Sequence, residues 1–261
     1  MFFLKTRRLQ SLARVWEPSA RSMLNEIGVR PSWRCADLGC GALGIVGLLS
    51  EAVGPTGHVV GLDNDARQLS AIRHWIQAAA LANVEIIEGD AYATRLPRDS
   101  FDLIHVRFVL APGGRGDVLL REMLALARPG GVVAVEEADT ASWGCFPPSP
   151  AWETLKSGIE RTFGAAGGDF NAGRKMFGML RTAGLEDIHV RAQILALPPG
   201  HPYRRMPLEV VAALRSKIVN GGVLSDEALD EAIASFDRVA GDDHTLMTSF
   251  TVIQTWGRKP R

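Results

Sequence analysis

The sequence predicts an α/β fold, with a doubly wound, mostly parallel sheet carrying helices on both faces and an antiparallel last strand beneath a helical lid. Three observations lead there. Between residues 34 and 137 short apolar runs alternate with amphipathic segments, the pattern of a parallel sheet covered on both sides. A glycine-rich turn, Gly39-Cys40-Gly41-Ala42-Leu43-Gly44, follows the first run and opens a helix. Gly/Pro punctuation (Gly54-Pro55-Thr56-Gly57 and Arg128-Pro129-Gly130-Gly131) precedes the second and fifth runs.

The elements follow in order. Residues 1–33 read as a helical segment: Leu9, Leu12, Val15 and Trp16 recur at helical spacing, Met23, Leu24 and Ile27 continue beyond Pro18, and Gly28 and Pro31 close it. Residues 34–139 form the expected core, with strands at 35–38, 58–62, 84–87, 101–106 and 132–135 and helices at 43–52, 65–82 and 116–127. Residues 140–261 are expected to interleave lid helices with the last two strands. A Pro-rich loop at 146–150 leads to helices at 151–163 and 172–183, a strand at 188–196, helices at 207–219 and 225–239, and a final antiparallel strand within 245–255.

Bulk properties narrow the class. The chain has 261 residues, 46% hydrophobic and 22% charged, ordinary for a globular enzyme. Lys plus Arg and Asp plus Glu number 29 each, so no whole-protein field gathers nucleic acid or an anionic membrane. The apolar stretch after Met1 reads as too short for a signal peptide, and no run approaches the roughly 20 residues that span a bilayer. Cys35, Cys40 and Cys145 show neither a CxxC spacing nor an even count, which predicts reduced thiols in a cytoplasmic protein. No His/Cys/Asp cluster has ligand spacing, so no metal is expected.

The glycines alone also satisfy the dinucleotide fingerprint, Gly39-x-Gly41-x-x-Gly44. Asp37 shifts the balance. A carboxylate at the strand tip faces phosphates badly and a cationic ammonium well, and S-adenosylmethionine carries that ammonium and no phosphate. Asp63 ends the second strand, where its two oxygens can accept both ribose hydroxyls. Asp90 follows the third strand in Glu88-Gly89-Asp90-Ala91, placed to accept from an adenine amino group. Simpler roles compete: a turn cap for Asp37, a helix N-cap for Asp63, a loop pair for Gly89-Asp90.

Asp37-x-Gly39-x-Gly41, Gly61-Leu62-Asp63, Gly89-Asp90-Ala91, Phe101-Asp102-Leu103-Ile104-His105 and Arg128-Pro129-Gly130-Gly131 together resemble the class I S-adenosylmethionine-dependent methyltransferases of the small-molecule, UbiE-like kind. The resemblance covers residues 34–139. It implies a Rossmann-like seven-stranded sheet, Asp63 on the ribose, Asp90 and Ala91 on the adenine, Asn64 flanking that ring, and methyl transfer to a small-molecule acceptor. Many relatives carry a His-Leu pair after the fourth strand. This chain has Leu110-Ala111-Pro112-Gly113-Gly114, which alters the substrate-facing loop.

Candidates on the reacting side are Arg107, Glu137 and His201. Arg107 either binds a carboxylate, of cofactor or acceptor, or pairs with Glu136 or Glu137. Glu137 ends the fifth strand beside Asp139, and His201 lies between prolines as a candidate base. Trp143 and Phe146 can stack on a planar acceptor or close a core, and His105 reads as a hydrogen-bonded structural histidine. Three rivals remain: a cyclase or regulatory binder using the same cofactor, an NAD(P)-dependent reductase, and a nucleic-acid methyltransferase. Neither Tyr92 nor Tyr203 has a lysine four residues on, and no Asn/Asp-Pro-Pro-aromatic tetrapeptide follows the fourth strand, which count against the last two. The helices after His201 serve either as a pocket cover or as a homodimer interface.

Overall fold

The structure is a computed structural model that describes the backbone of residues 2–261 and the side chains from residue 14 onward. The side chains of Leu9 and Leu12, and Met1 entirely, lie outside the described residues.

The first helix, α1 (Phe2–Ile27), continues through Pro18. An interior proline costs about 3 kcal/mol. Trp16 on one side of it and Ala20, Met23 and Leu24 on the other are all buried, at roughly 1.5–3 kcal/mol for each large side chain. Burial therefore outweighs the missing hydrogen bond. Gly28, at φ +72°, ends the helix by donating to the Leu24 carbonyl.

Then come β1 (Arg34–Leu38), α2 (Val46–Val53), β2 (His58–Asp63), α3 (Ala66–Ala78), β3 (Val84–Glu88), β4 (Phe101–Arg107), the single turn α4 (Leu110–Gly113), α5 (Gly116–Leu126) and β5 (Ala127–Asp139). The remainder is β6 (Gly144–Phe146), α6 (Pro150–Ala165), α7 (Gly173–Thr182), β7 (Glu186–Gln193), β8 (Ala196–Leu197), α8 (Met206–Asn220), α9 (Asp226–Gly241), β9 (Leu246–Thr248) and β10 (Thr251–Arg258). Among the described residues, seven strands form one sheet in the order β3-β2-β1-β4-β5-β10-β7. β1 to β5 are parallel, and β10 runs antiparallel to both its neighbours. The reversal of strand order on either side of β1 leaves a crevice at the carboxyl edge, where open α/β sheets bind ligands.

Alternate residues of the strands face two cores. Cys35, Leu103, Val132 and Trp256 pack under α1 and α2, whereas Ala36, Ile104, Val133 and Val135 pack under α5 and α7. A third cluster, centred on Trp152, Val211, Phe236 and Phe250, joins α6, α8 and α9 into the lid and takes in Trp16 from α1. Ser149 and Ser225 cap α6 and α9 by accepting from the Trp152 and Ala228 amides.

The structure departs from the sequence reading in the last third. The expected final strand is two, β9 and β10, because Ser249 turns away to bind Leu195 through both backbone and hydroxyl while Phe250 drops into the lid core. The expected strand at 188–196 likewise breaks into β7 and β8. β6, β9 and β8 make a small antiparallel sheet that sequence reading missed, their two- and three-residue lengths being too short to show alternation. One side chain fastens the lid. Arg204 is buried, and its guanidinium donates to the carbonyls of Leu197, Val239, Ala240, Asp242 and Thr245. It thereby gathers the C-terminus of α9 and the ends of β8 and β9.

Candidate functional site

The glycine loop is held from below by a buried polar chain. Asp37 Oδ2 accepts the Ile45 amide at 3.0 Å, and Oδ1 meets His105 Nδ1 at 2.7 Å. His105 Nε2 lies 3.0 Å from Glu136 Oε1, and Gln254 Nε2 donates to Glu136 Oε2 at 2.8 Å. Ionised carboxylates only accept, so between two charged acids both ring nitrogens donate, the arrangement of an imidazolium. Burial pushes its pKa down, but the Asp37 and Glu136 carboxylates outweigh burial and hold it above the ordinary value. Glu136, conversely, is raised by burial and brought below its ordinary value by His105 and Arg107.

Above this chain the loop needs glycine for geometric reasons. Gly39, Gly41 and Gly44 all have positive φ, and a Cβ at Gly44 would collide with Asp37 Oδ2. A Cβ at Gly41 would meet nothing within 4 Å, so this residue fronts open space. That space is a cavity of about 680 Å³ along the carboxyl edge. Asp63 Oδ2 accepts the Gly41 amide and Oδ1 accepts the Asp65 amide, both at 2.8 Å. Asp90 uses Oδ1 for the Tyr92 amide at 2.9 Å.

The other half of the cavity is apolar and comes from the lid and the end of β4. Phe108, Phe163, Phe170 and Phe250 line it together with one face of α8. Phe250 meets Phe108 and Phe170 edge-on, with centroids 5.6 and 5.7 Å apart, and Phe163 stacks on Phe170 at 5.3 Å. Phe108 has φ +56°, a conformation that costs a non-glycine residue about 1 kcal/mol or more and is concentrated at functional sites.

Glu137 enforces that bend. Its Oε1 accepts the Val109 and Leu110 amides, each at 2.7 Å, while Oε2 has no hydrogen-bond partner. Burial raises the carboxyl pKa to about 7, against the opposing pull of those amides. A group whose pKa rises on folding stabilises most below its unfolded value and loses that contribution as pH climbs through the folded value. The parent protein should therefore lose stability between about pH 4.5 and about pH 7. Glu137→Gln keeps an oxygen for both amides and cannot ionise. Denaturant titrations across that range should show a flatter profile for the variant; an unchanged slope would assign the pH dependence elsewhere.

Of the residues singled out from sequence, Asp37, Gly39, Gly41, Asp63, Asn64, Asp90, Ala91 and Arg107 all line this one cavity. Asp37 differs in emphasis: both oxygens are already engaged, so it is first a strut for the loop. Arg107 Nη2 donates to the Gly44 carbonyl at 3.1 Å, and Nη1 lies 3.9 Å from Glu136, buried and without a hydrogen-bond partner. Glu137 and His201 are not on the cavity wall. His201 Nδ1 accepts the Tyr203 amide at 3.2 Å and caps a short turn of helix. Trp143 is buried between Trp152 and Phe170, whereas Phe146 is exposed. Sequence reading missed the four phenylalanines as a set; they come from three distant segments with no shared spacing. Among the described residues no group of His, Cys, Asp or Glu could hold a metal ion, and no helix is long and apolar enough to cross a membrane.

Comparison with known proteins bears on this cavity. A family model described as a methyltransferase domain matches residues 31–161. The chain is similar to demethylmenaquinone methyltransferase of Listeria welshimeri, with 34% identity over 119 residues, which is 46% of this chain and 48% of the relative. It thus spans about half the length of the curated relatives it matches. Among solved structures, the YcgJ protein of Bacillus subtilis superposes with a TM-score of 0.62 at 18% identity, covering 92% of this chain and 97% of that one. A phosphoethanolamine N-methyltransferase of Haemonchus contortus, solved with phosphomonomethylethanolamine and S-adenosylhomocysteine, gives 0.60 at 16% identity, covering 94% and 53% respectively. At these identities the solved structures share the fold.

Proposed function

The chain belongs to the methyltransferase-domain family, and from that premise we propose that it transfers a methyl group from S-adenosylmethionine to a small-molecule acceptor lying against the phenylalanines. The observation that supports this most is the joining, in one cavity, of an acid-tipped glycine loop with an apolar chamber.

The polar half fits the cofactor. Each Asp63 oxygen retains a lone pair beyond its backbone bond, enough to accept the two ribose hydroxyls. Asp90 Oδ2 remains for the adenine amino group, with Asn64 and Ala91 beside the ring. Arg107 Nη1, which makes no hydrogen bond and lies 3.9 Å from Glu136, suits a carboxylate at the methionine end. When bound, S-adenosylmethionine supplies an electrophilic methyl group. The chain's own task is then alignment and exclusion of water, which can contribute several kcal/mol without an acid or base. Phe108, Phe163, Phe170 and Phe250 do the excluding. Neither Glu137 nor His201 reaches the chamber wall, so the reading favours an acceptor that arrives with its lone pair free.

Calorimetric titration of S-adenosylhomocysteine, with NADH and NADPH alongside, tests the reading. The homocysteine product alone should bind. Asp63→Ala should weaken that binding roughly 150-fold or more, the scale of losing two hydrogen bonds to a charged group at about 1.5 kcal/mol each. Some thermal stability should go with it, because Asp63 also holds Gly41 and Asp65. Unchanged affinity in the variant removes Asp63 from the site, and binding of a nicotinamide cofactor instead overturns the reading.

A further inference from the structure

We propose that the acceptor is an amphipathic acid, with an apolar body against the phenylalanines and an anionic group at Lys217; this rests on the methyltransferase reading of the same cavity.

The argument starts from α8. Met206, Val210, Ala213, Leu214 and Lys217 all line the cavity and stand at i, i+4, i+7, i+8 and i+11, a single helical stripe. At 1.5 Å per residue the stripe is about 16 Å long, apolar until its last member. Lys217 ends it with a charge that makes no ion pair among the described residues. Arg215, two residues earlier and on another side of the helix, differs: it pairs with Asp226 and Asp230 of α9, both at 2.6 Å.

The charges in the cavity separate by position. Asp37, Asp63 and Asp90 sit at the strand tips and Asp65 at the start of α3, each already accepting from backbone amides, and Arg107, the cation on that side, is engaged by the Gly44 carbonyl and Glu136 and faces the cofactor's half. Lys217 is the charged residue that the lid contributes. The four phenylalanines between them offer no hydrogen bond, and Trp16 Nε1, beside Phe250, is already given to Tyr203 Oη at 3.3 Å. A cationic acceptor would be repelled at the lid end and drawn toward the cofactor's acids. An anion is steered the other way, its hydrocarbon body crossing the chamber. Lys217 is exposed at the mouth of the chamber, so its contact should be worth up to about a fivefold preference for an acid over its neutral ester.

Three probes sharing one ring system test this: naphthalenecarboxylic acid, its methyl ester, and naphthylmethylammonium. Each is titrated at neutral pH into the full chain saturated with S-adenosylhomocysteine, and again without it. The acid should bind most tightly and the ammonium most weakly. Lys217→Gln should bring the acid down to the ester while leaving the ester and S-adenosylhomocysteine unchanged. Lys217→Glu should invert the order of acid and ammonium. Phe170→Ala should weaken all three alike. Tightest binding by the ammonium, failure of the three probes to bind protein that does bind S-adenosylhomocysteine, or a preference untouched by Lys217→Gln would overturn the inference. Failure of S-adenosylhomocysteine to bind would instead strike the methyltransferase reading, and the series without it still tests Lys217.

Discussion

Arg204→Met should lower stability by about 4 kcal/mol, seen as a fall in melting temperature of roughly 10 °C for a chain of this size. The reason lies in where the charge goes. A buried guanidinium ordinarily faces a carboxylate; this one faces five carbonyl oxygens. Val239, Ala240 and Asp242 belong to the last turn of α9 and its exit, where carbonyls lack helical partners and the macrodipole is negative. The helix end supplies the counter-charge. Methionine fills the space but takes the guanidinium donors from all five oxygens, of which Val239 and Asp242 keep one backbone bond each, from the Asp242 and Thr245 amides. Arg204→Lys should recover only part of the loss, since an ammonium has three donors and no planar fork. Because the polar half of the cavity belongs to the sheet, S-adenosylhomocysteine affinity should fall far less than affinity for the ring probes. A variant that melts with the parent would show the fastening to be redundant.

His105→Leu should cost 3–5 kcal/mol by an opposite mechanism, the removal of a cation from between two acids. Asp37 and Glu136 would be left buried, one of them obliged to take up a proton. Loop support through the Ile45 amide would weaken, and cofactor affinity with it. The pH dependence gives the sign. Because folding raises the His105 pKa, its stabilisation is complete below the ordinary value of 6.5 and is lost as pH rises through the folded one. Folding lowers that of Glu136, so its stabilisation holds above 4.5 and is lost as pH falls through the folded value. Below pH 6.5, where the parent's imidazolium contribution is complete, acid protonates the variant's stranded carboxylates, and the gap to the parent should narrow as pH falls. Denaturant titrations of both proteins over that range decide it; a constant gap would mean that no proton is held between the two acids.

The half of the molecule that the sequence makes legible is the half built from local rules. A glycine at positive φ, an acid closing a strand and a Gly-Pro turn act within a few residues, and they locate Asp37, Gly41, Asp63 and Asp90. The lid obeys no such rule. Phe108, Phe163, Phe170 and Phe250 meet only because the sheet order brings their segments together, and a periodicity search has nothing to find. His201 and Glu137, candidates by residue type, lie off the cavity wall for a related reason. Both are residue types able to move protons, yet each spends its acceptor on backbone amides nearby, and the sequence does not say which neighbour a side chain will choose. Arg204 gave no sign at all, because its partners are carbonyls that every residue possesses.

The threading of the lid has a practical consequence. The chain leaves the large sheet after β5, forms β6 and α6, returns for α7 and β7, leaves again for β8, α8, α9 and β9, and comes back as β10 between β5 and β7. β6 pairs with β9, so the two excursions are stitched to each other, and the strand that follows them lies inside the sheet rather than at its rim. Such a cover is no cassette. It cannot be excised, grafted or exchanged for a relative's without unmaking the sheet it rests on. Redesigning what this protein accepts therefore has to proceed one side chain at a time along α8 and the phenylalanines, with the backbone left as it is.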